Sequence, residues 1–166
     1  MARALGTLIL TAILFQVLTF ISGWTTHMGW FRLPQHVMWG LLTAILILFA
    51  HTAAMFYLIG RGRYVRDVTR ELSLRVDFCQ KSKLFKWLFF SRATYSILMT
   101  IGVTTAGGAA TLRGFGHSVH GALAIGALFL NLLALWRGLM VIGQDLQLGN
   151  EMEEAAAAAS RGSSGD

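Results

Sequence analysis

The chain has 166 residues, 55% hydrophobic and 13% charged, with mean hydropathy +0.58 and a formal charge of +6. A soluble domain carries about 25% charged residues, so this composition argues against a soluble enzyme and for a multi-pass protein of a bacterial-type inner or plasma membrane. The charge does not imply nucleic acid, because eight of the fourteen Lys and Arg lie between Arg61 and Lys86, beside an apolar run, as in juxtamembrane segments that face anionic lipid.

The first apolar segment, about 5–22, follows the single arginine of MARALGTLIL. FISGW after it lacks the small-residue cleavage pattern of a signal peptide, so the segment reads as a retained helix. The second, about 37–60, is VMWGLLTAILILFAHTAAMFYLIG, with Pro34 where a helix start tolerates it. RGRYVRDVTRELSLRVDF follows. It sets Arg66 and Arg70 near Asp67 and Glu71 at helical spacing, with Val65, Val68, Leu72 and Val76 as apolar positions. This reads as a basic helical extension that lies over the lipid surface, or else as a docking site for a protein partner. LFKWLFF then resembles an interfacial segment, its Lys86 and Trp87 at headgroup level.

The third span, about 93–112, is poor in leucine, and Gly102, Ala106 and Ala110 recur every four residues as a face for close helix approach. The fourth, about 118–142, offers Ala122 and Gly126 as a matching face. EMEEAAAAASRGSSGD reads as a fraying helix and then a disordered cytoplasmic tail over 151–166. The expected fold is therefore all-α: one domain over 1–150, an up-down bundle of four transmembrane helices with a basic extension between the second and third. Nine basic residues in 61–92, against only Arg32 and Arg113 in the two opposite loops, place that extension and both termini in the cytoplasm.

No Asp or Glu falls inside these spans, which disfavours carboxylate proton relays and di-iron centres. Nucleotide-binding loops, H-E-x-x-H and a nucleophile elbow are also missing from the sequence. The lone Cys79 rules out an internal disulfide and a cysteine-only metal site. What remains is histidine chemistry, in two layers. His36 and His120 open the second and fourth spans, and His27 and His117 lie in the adjoining loops. His36 and His120 could clasp a haem b across the bundle diagonal, while His117 and His120, three apart, could share a metal. The plainer reading is a set of wetted residues at the lipid boundary, beside Trp24, Trp30 and Trp39.

His51 lies fifteen residues beyond His36, about 22 Å along a helix, so it belongs to another layer. Counting from the helix ends sets it level with Asn131 and with Met99 or Thr100, which makes His51 and Asn131 a structural polar pair. Contact with a quinone, or haem ligation with Met99 or a symmetry-related His51, are the other uses open to it. Four spans with scattered histidines look like the small membrane anchors of respiratory complexes. That architectural resemblance implies a non-catalytic subunit held in the bilayer against other membrane subunits or a second copy, within an electron-transfer assembly. The competing expectation is a b-type haem or quinone protein built on His36 and His120 or on His51.

Overall fold

A computed structural model describes residues 1–30, 32–74, 77–113 and 116–162. They form four helices: α1 (Ala2–His27), α2 (Leu33–Glu71), α3 (Asp77–Arg113) and α4 (His117–Gly162). α1 ends where Gly29 takes a left-handed φ of 76°. There the Trp30 N–H reaches Thr25 O and the Gly29 N–H reaches Thr26 O, each at 3.1 Å, which closes a Schellman turn. Pro34 stands in the first turn of α2, and Gln35 Oε1 accepts the Arg32 N–H at 3.2 Å, one half of a capping box. A second Schellman turn ends α2. Ser73 holds φ 48°, and the Leu74 N–H bonds Thr69 O at 3.0 Å. A non-glycine residue in that region costs about 1–2 kcal/mol, offset here by satisfied terminal carbonyls.

α1 packs on α2 and α4, α3 packs on α2 and α4, and α2 meets α4 across the short diagonal. Among the described residues the α1 and α3 backbones do not approach each other closely. Thr19 faces Thr43, His51 faces Asn131 and Lys81 faces Glu151, so consecutive helices alternate in direction. α1, α2 and α4 are long and apolar enough to cross a membrane. α3 is longer than α1, but its threonines and glycines dilute its hydropathy.

The main core joins Leu5, Ile9, Ile47, Leu58, Phe89, Leu135 and Val141, with Ala12, Ala50, Ala54 and Ala93 letting the backbones close in. A second core of Val65, Phe78, Leu148 and Met152 ties together the far ends of α2, α3 and α4. At 39 residues α2 measures about 58 Å, roughly twice the hydrocarbon thickness, and this second core occupies the surplus.

Four sequence expectations change here. The basic segment does not lie flat on lipid: Val65 is fully buried and Val68 packs against the second core, while Leu72 stays exposed and Val76 lies outside the described residues. The α2–α3 hairpin and the end of α4 form a three-helix stalk instead, because those apolar positions find partners in Phe78, Leu148 and Met152. The tail beyond 150 is helical through Gly162, since Met152 is buried and Glu151 meets Lys81 at 2.8 Å; residues 163–166 lie outside the described part. LFKWLFF is not a separate interfacial piece, because α3 runs unbroken through Arg92 and fully buries Phe89. Finally, Gly102 faces open space. The inner face of α3 runs through Ser96, Thr100, Gly107 and Ala110, with steps of four, seven and three. A strict four-residue row drifts about 40° per step around a helix of 3.6 residues per turn, so it cannot stay on one seam.

Candidate functional site

Three polar constellations interrupt the apolar interior. The central one joins α2, α3 and α4 around Asn131, which is 1% exposed. Ser96 Oγ donates to Asn131 Oδ1 at 2.5 Å, and His51 Nε2 lies 3.2 Å from the same oxygen. Asn131 Nδ2 donates to Thr100 Oγ1 at 2.9 Å, and the Thr100 hydroxyl donates back to Ser96 O at 2.8 Å. Because Oδ1 can only accept, His51 carries its proton on Nε2. Its Nδ1 then presents a lone pair, which is buried without a donor. Phe89 stands 6.2 Å from the imidazole, centroid to centroid. Counting along the helices brings His51, Thr100 and Asn131 together. Ser96 was missed, because a serine in a span carries no signal until its facing helix is known. Gln16, one turn away, donates from Nε2 to Ala127 O at 3.2 Å. A neutral ring held in this way has its Nε2 engaged by Asn131 and only its Nδ1 without a partner.

The second constellation sits at the opposite end from the stalk. His36 of α2 and His120 of α4 meet across the short diagonal, with ring centroids 6.4 Å apart and planes at 71°. Two glycines make this possible. A Cβ on Gly23 would fall 2.9 Å from His36 Cε1, and one on Gly107 would fall 2.9 Å from His120 Cε1. His36 Nδ1 lies 3.0 Å from Ser22 Oγ, whose own proton is directed to Thr19 O at 2.8 Å. Ser22 therefore accepts from His36, the proton sits on Nδ1, and Nε2 keeps its lone pair. His120 Nδ1 is buried with no partner. The side chains of His27 and His117 lie outside the described residues, so the expected His117/His120 metal pair is placed only as far as the first turn of α4. Among the described residues no group of three or more His, Cys, Asp or Glu converges on one point.

The third constellation was not legible in the sequence. Asp145 passes there as one of eight carboxylates on the charged side, yet it is 1% exposed. Its Oδ2 accepts from Tyr57 Oη at 2.8 Å and from Arg61 Nε at 2.7 Å, and Arg61 Nη2 reaches Asp145 O at 3.4 Å. A Cβ on Gly149 would fall 2.9 Å from Arg61 Nη2, so that glycine clears the path of the guanidinium. The available signal was a pair of i,i+4 spacings, Tyr57–Arg61 on one helix and Asp145–Gly149 on another. This buried pair joins the membrane-type core to the stalk. Removing Arg61 strands the buried Asp145 carboxylate, whereas Arg61, a quarter exposed, keeps access to water if Asp145 is lost.

Fold and sites together define an all-α bundle of four helices, three of them long and apolar enough to cross a membrane, with polar layers inside and a charged stalk at one end. No family model matches the chain, and neither a curated protein nor a solved structure matches it.

Proposed function

We propose that this protein is a four-span membrane subunit without catalytic activity of its own, which presents its stalk to a partner in a larger complex. The observation that supports this is the second core. Val65, Phe78, Leu148 and Met152 stiffen three helix ends beyond the length a bilayer requires. Order there has a use if the surface it holds is recognised. That surface is densely charged in both signs, with Arg63, Arg66, Arg70, Lys81 and Lys83 exposed beside Asp67, Glu71, Glu151, Glu153 and Glu154. On this reading α3 is the fourth span, its hydroxyls bonded within the bundle, and the stalk and both termini are cytoplasmic. An electron-transfer assembly of the inner membrane is the setting in which such an anchor, a lipid bilayer and a quinone pool occur together.

The test is the size of the native complex after mild detergent extraction. The chain should migrate well above its own 18.2 kDa plus micelle, and Arg66→Glu with Arg70→Glu should release it at unchanged expression. Migration as a lone chain in both forms would refute the proposal.

A further inference from the structure

We infer that Arg92 of α3 and Arg137 of α4 together bind the phosphate of an anionic phospholipid on the seam between those helices. The two residues share a register. α3 and α4 run antiparallel, with Lys81 meeting Glu151, Ser96 meeting Asn131, and Met99 Cε 2.8 Å from where a Cβ on Gly126 would lie. Between these contacts Arg92 falls level with Arg137. They also share a face. Arg92 lies seven residues before Met99 and eleven after Lys81, close to whole turns, so it stands on the stripe that meets α4. Arg137 lies eleven residues after Gly126, on the stripe that meets α3. Their depth follows from length. Arg137 is twenty residues beyond His117, about 30 Å along the helix, and the hydrocarbon layer is also about 30 Å. On the proposed reading that α3 and α4 both span, the two guanidiniums reach the headgroup level of the leaflet on the stalk side. Exposed Trp136 stands at that level and exposed Trp87 just past it, as interfacial aromatics do.

Neither arginine has a counter-charge. Arg92 turns Nη1 to Leu88 O at 2.6 Å, and Arg137 Nε is buried with no hydrogen-bond partner. Among the described residues neither enters an ion pair. The next acid along α4, Asp145, is about 12 Å further on and already held by Tyr57 and Arg61. Two unpaired guanidiniums facing one seam favour an anion, and the planar fork of arginine matches the oxygens of a phosphate. The rest of the seam identifies which anion. Toward the bilayer centre it is edged by Tyr95 on α3 and by Leu130 and Leu133 on α4, all exposed. A charged end followed by an apolar track fits a headgroup and its acyl chains. A free phosphate would use the first feature alone. Basic sites between spans on the cytoplasmic side hold acidic lipid heads by this chemistry.

The experiment is native mass spectrometry of the purified, delipidated full-length chain in detergent, offered phosphatidylglycerol, phosphatidylcholine or inorganic phosphate. Phosphatidylglycerol should be retained as one molecule per chain and outlast phosphatidylcholine at equal concentration, and inorganic phosphate should not displace it. Arg92→Gln and Arg137→Gln should each weaken retention about tenfold, as the loss of a charge-assisted hydrogen bond would. Arg3→Gln, which removes an exposed charge from α1 at the same end of the bundle, should leave it unchanged. The thermal midpoint of the native chain should rise with phosphatidylglycerol and not with phosphatidylcholine, a readout that needs no variant. Equal retention of the two lipids by the native chain, or full retention of phosphatidylglycerol by the Arg92→Gln/Arg137→Gln double variant, would overturn the site. Displacement by inorganic phosphate would overturn the lipid assignment in favour of a free anion. The proposed role of the stalk is judged by the size of the complex and its response at Arg66 and Arg70, so the two readings fail independently.

Discussion

Asn131 Oδ1 accepts from both Ser96 and His51 while its amide donates to Thr100, so leucine at this position strands two donors at once and leaves Thr100 only its bond to Ser96 O. His51→Leu strands none of them fully, because Asn131 keeps Ser96 and Thr100. Interhelical hydrogen bonds in membranes contribute about 0.6–2 kcal/mol each, and an unsatisfied buried group costs about 1–3 kcal/mol. The expected order of detergent unfolding free energies is therefore native, then His51→Leu lower by about 1 kcal/mol, then Asn131→Leu lower by at least twice that. The double variant should lie close to Asn131→Leu alone, since His51 has nothing left to lose. Equal losses from the two single variants, or simple additivity in the double, would contradict the network as drawn. The histidine and the asparagine were legible from sequence because depth along a helix is a count at 1.5 Å per residue. The rotation about the axis that selects Ser96 depends on the neighbour, and no single span encodes it.

Helices add a constraint that single residues do not show. α3 approaches α4 through Gly107, where a Cβ would fall 2.9 Å from His120, whereas Gly102 points to open space. Gly107→Ala should force the imidazole aside and lower stability by about 1–3 kcal/mol, the usual cost of overpacking. Gly102→Ala should be neutral or slightly stabilising, because alanine is the better helix former by up to about 1 kcal/mol. Thermal midpoints of the two variants in one detergent decide this, and equal shifts would remove the asymmetry. The helices themselves were legible as long apolar runs, one of them opened by Pro34, while the turn at Gly29 that closes α1 was not read from the sequence. The continuity of α3 through Arg92 was not. A charged residue reads as a boundary, yet Arg92 stays exposed and turns its guanidinium to Leu88 O at 2.6 Å while the helix runs on. The stalk was hidden for a related reason, since Val65 and Phe78 gain meaning only from Leu148 and Met152, some seventy residues further along the chain.

For the whole molecule, the distribution of charge sets an orientation that can be measured. Nine basic residues occupy 61–92, while only Arg32 and Arg113 lie in the loops at the other end. Basic residues near short loops are retained on the cytoplasmic side, so the stalk should face inward and the His36–His120 end outward. Cys79 is a poor native reporter, because it is half-buried against the second core and would react slowly from either side. In a Cys79→Ala background, Met28→Cys and Lys83→Cys both place a thiol on an exposed position, at opposite ends of the bundle. A membrane-impermeant maleimide added to intact cells should label the Met28→Cys form and spare the Lys83→Cys form, and permeabilisation should expose the second. The reverse pattern would invert the topology and set the stalk outside, where a cytoplasmic partner could not reach it. A Ser118→Cys form, whose exposed thiol lies beyond α3, should also label from outside; its protection in intact cells would mean that α3 does not cross, leaving three spans and the two ends of the chain on opposite sides. The bundle geometry argues against that outcome. Thr100 and Ser96 bond to Asn131 in the middle of α4, so α3 lies at the same depth as the spans it packs against.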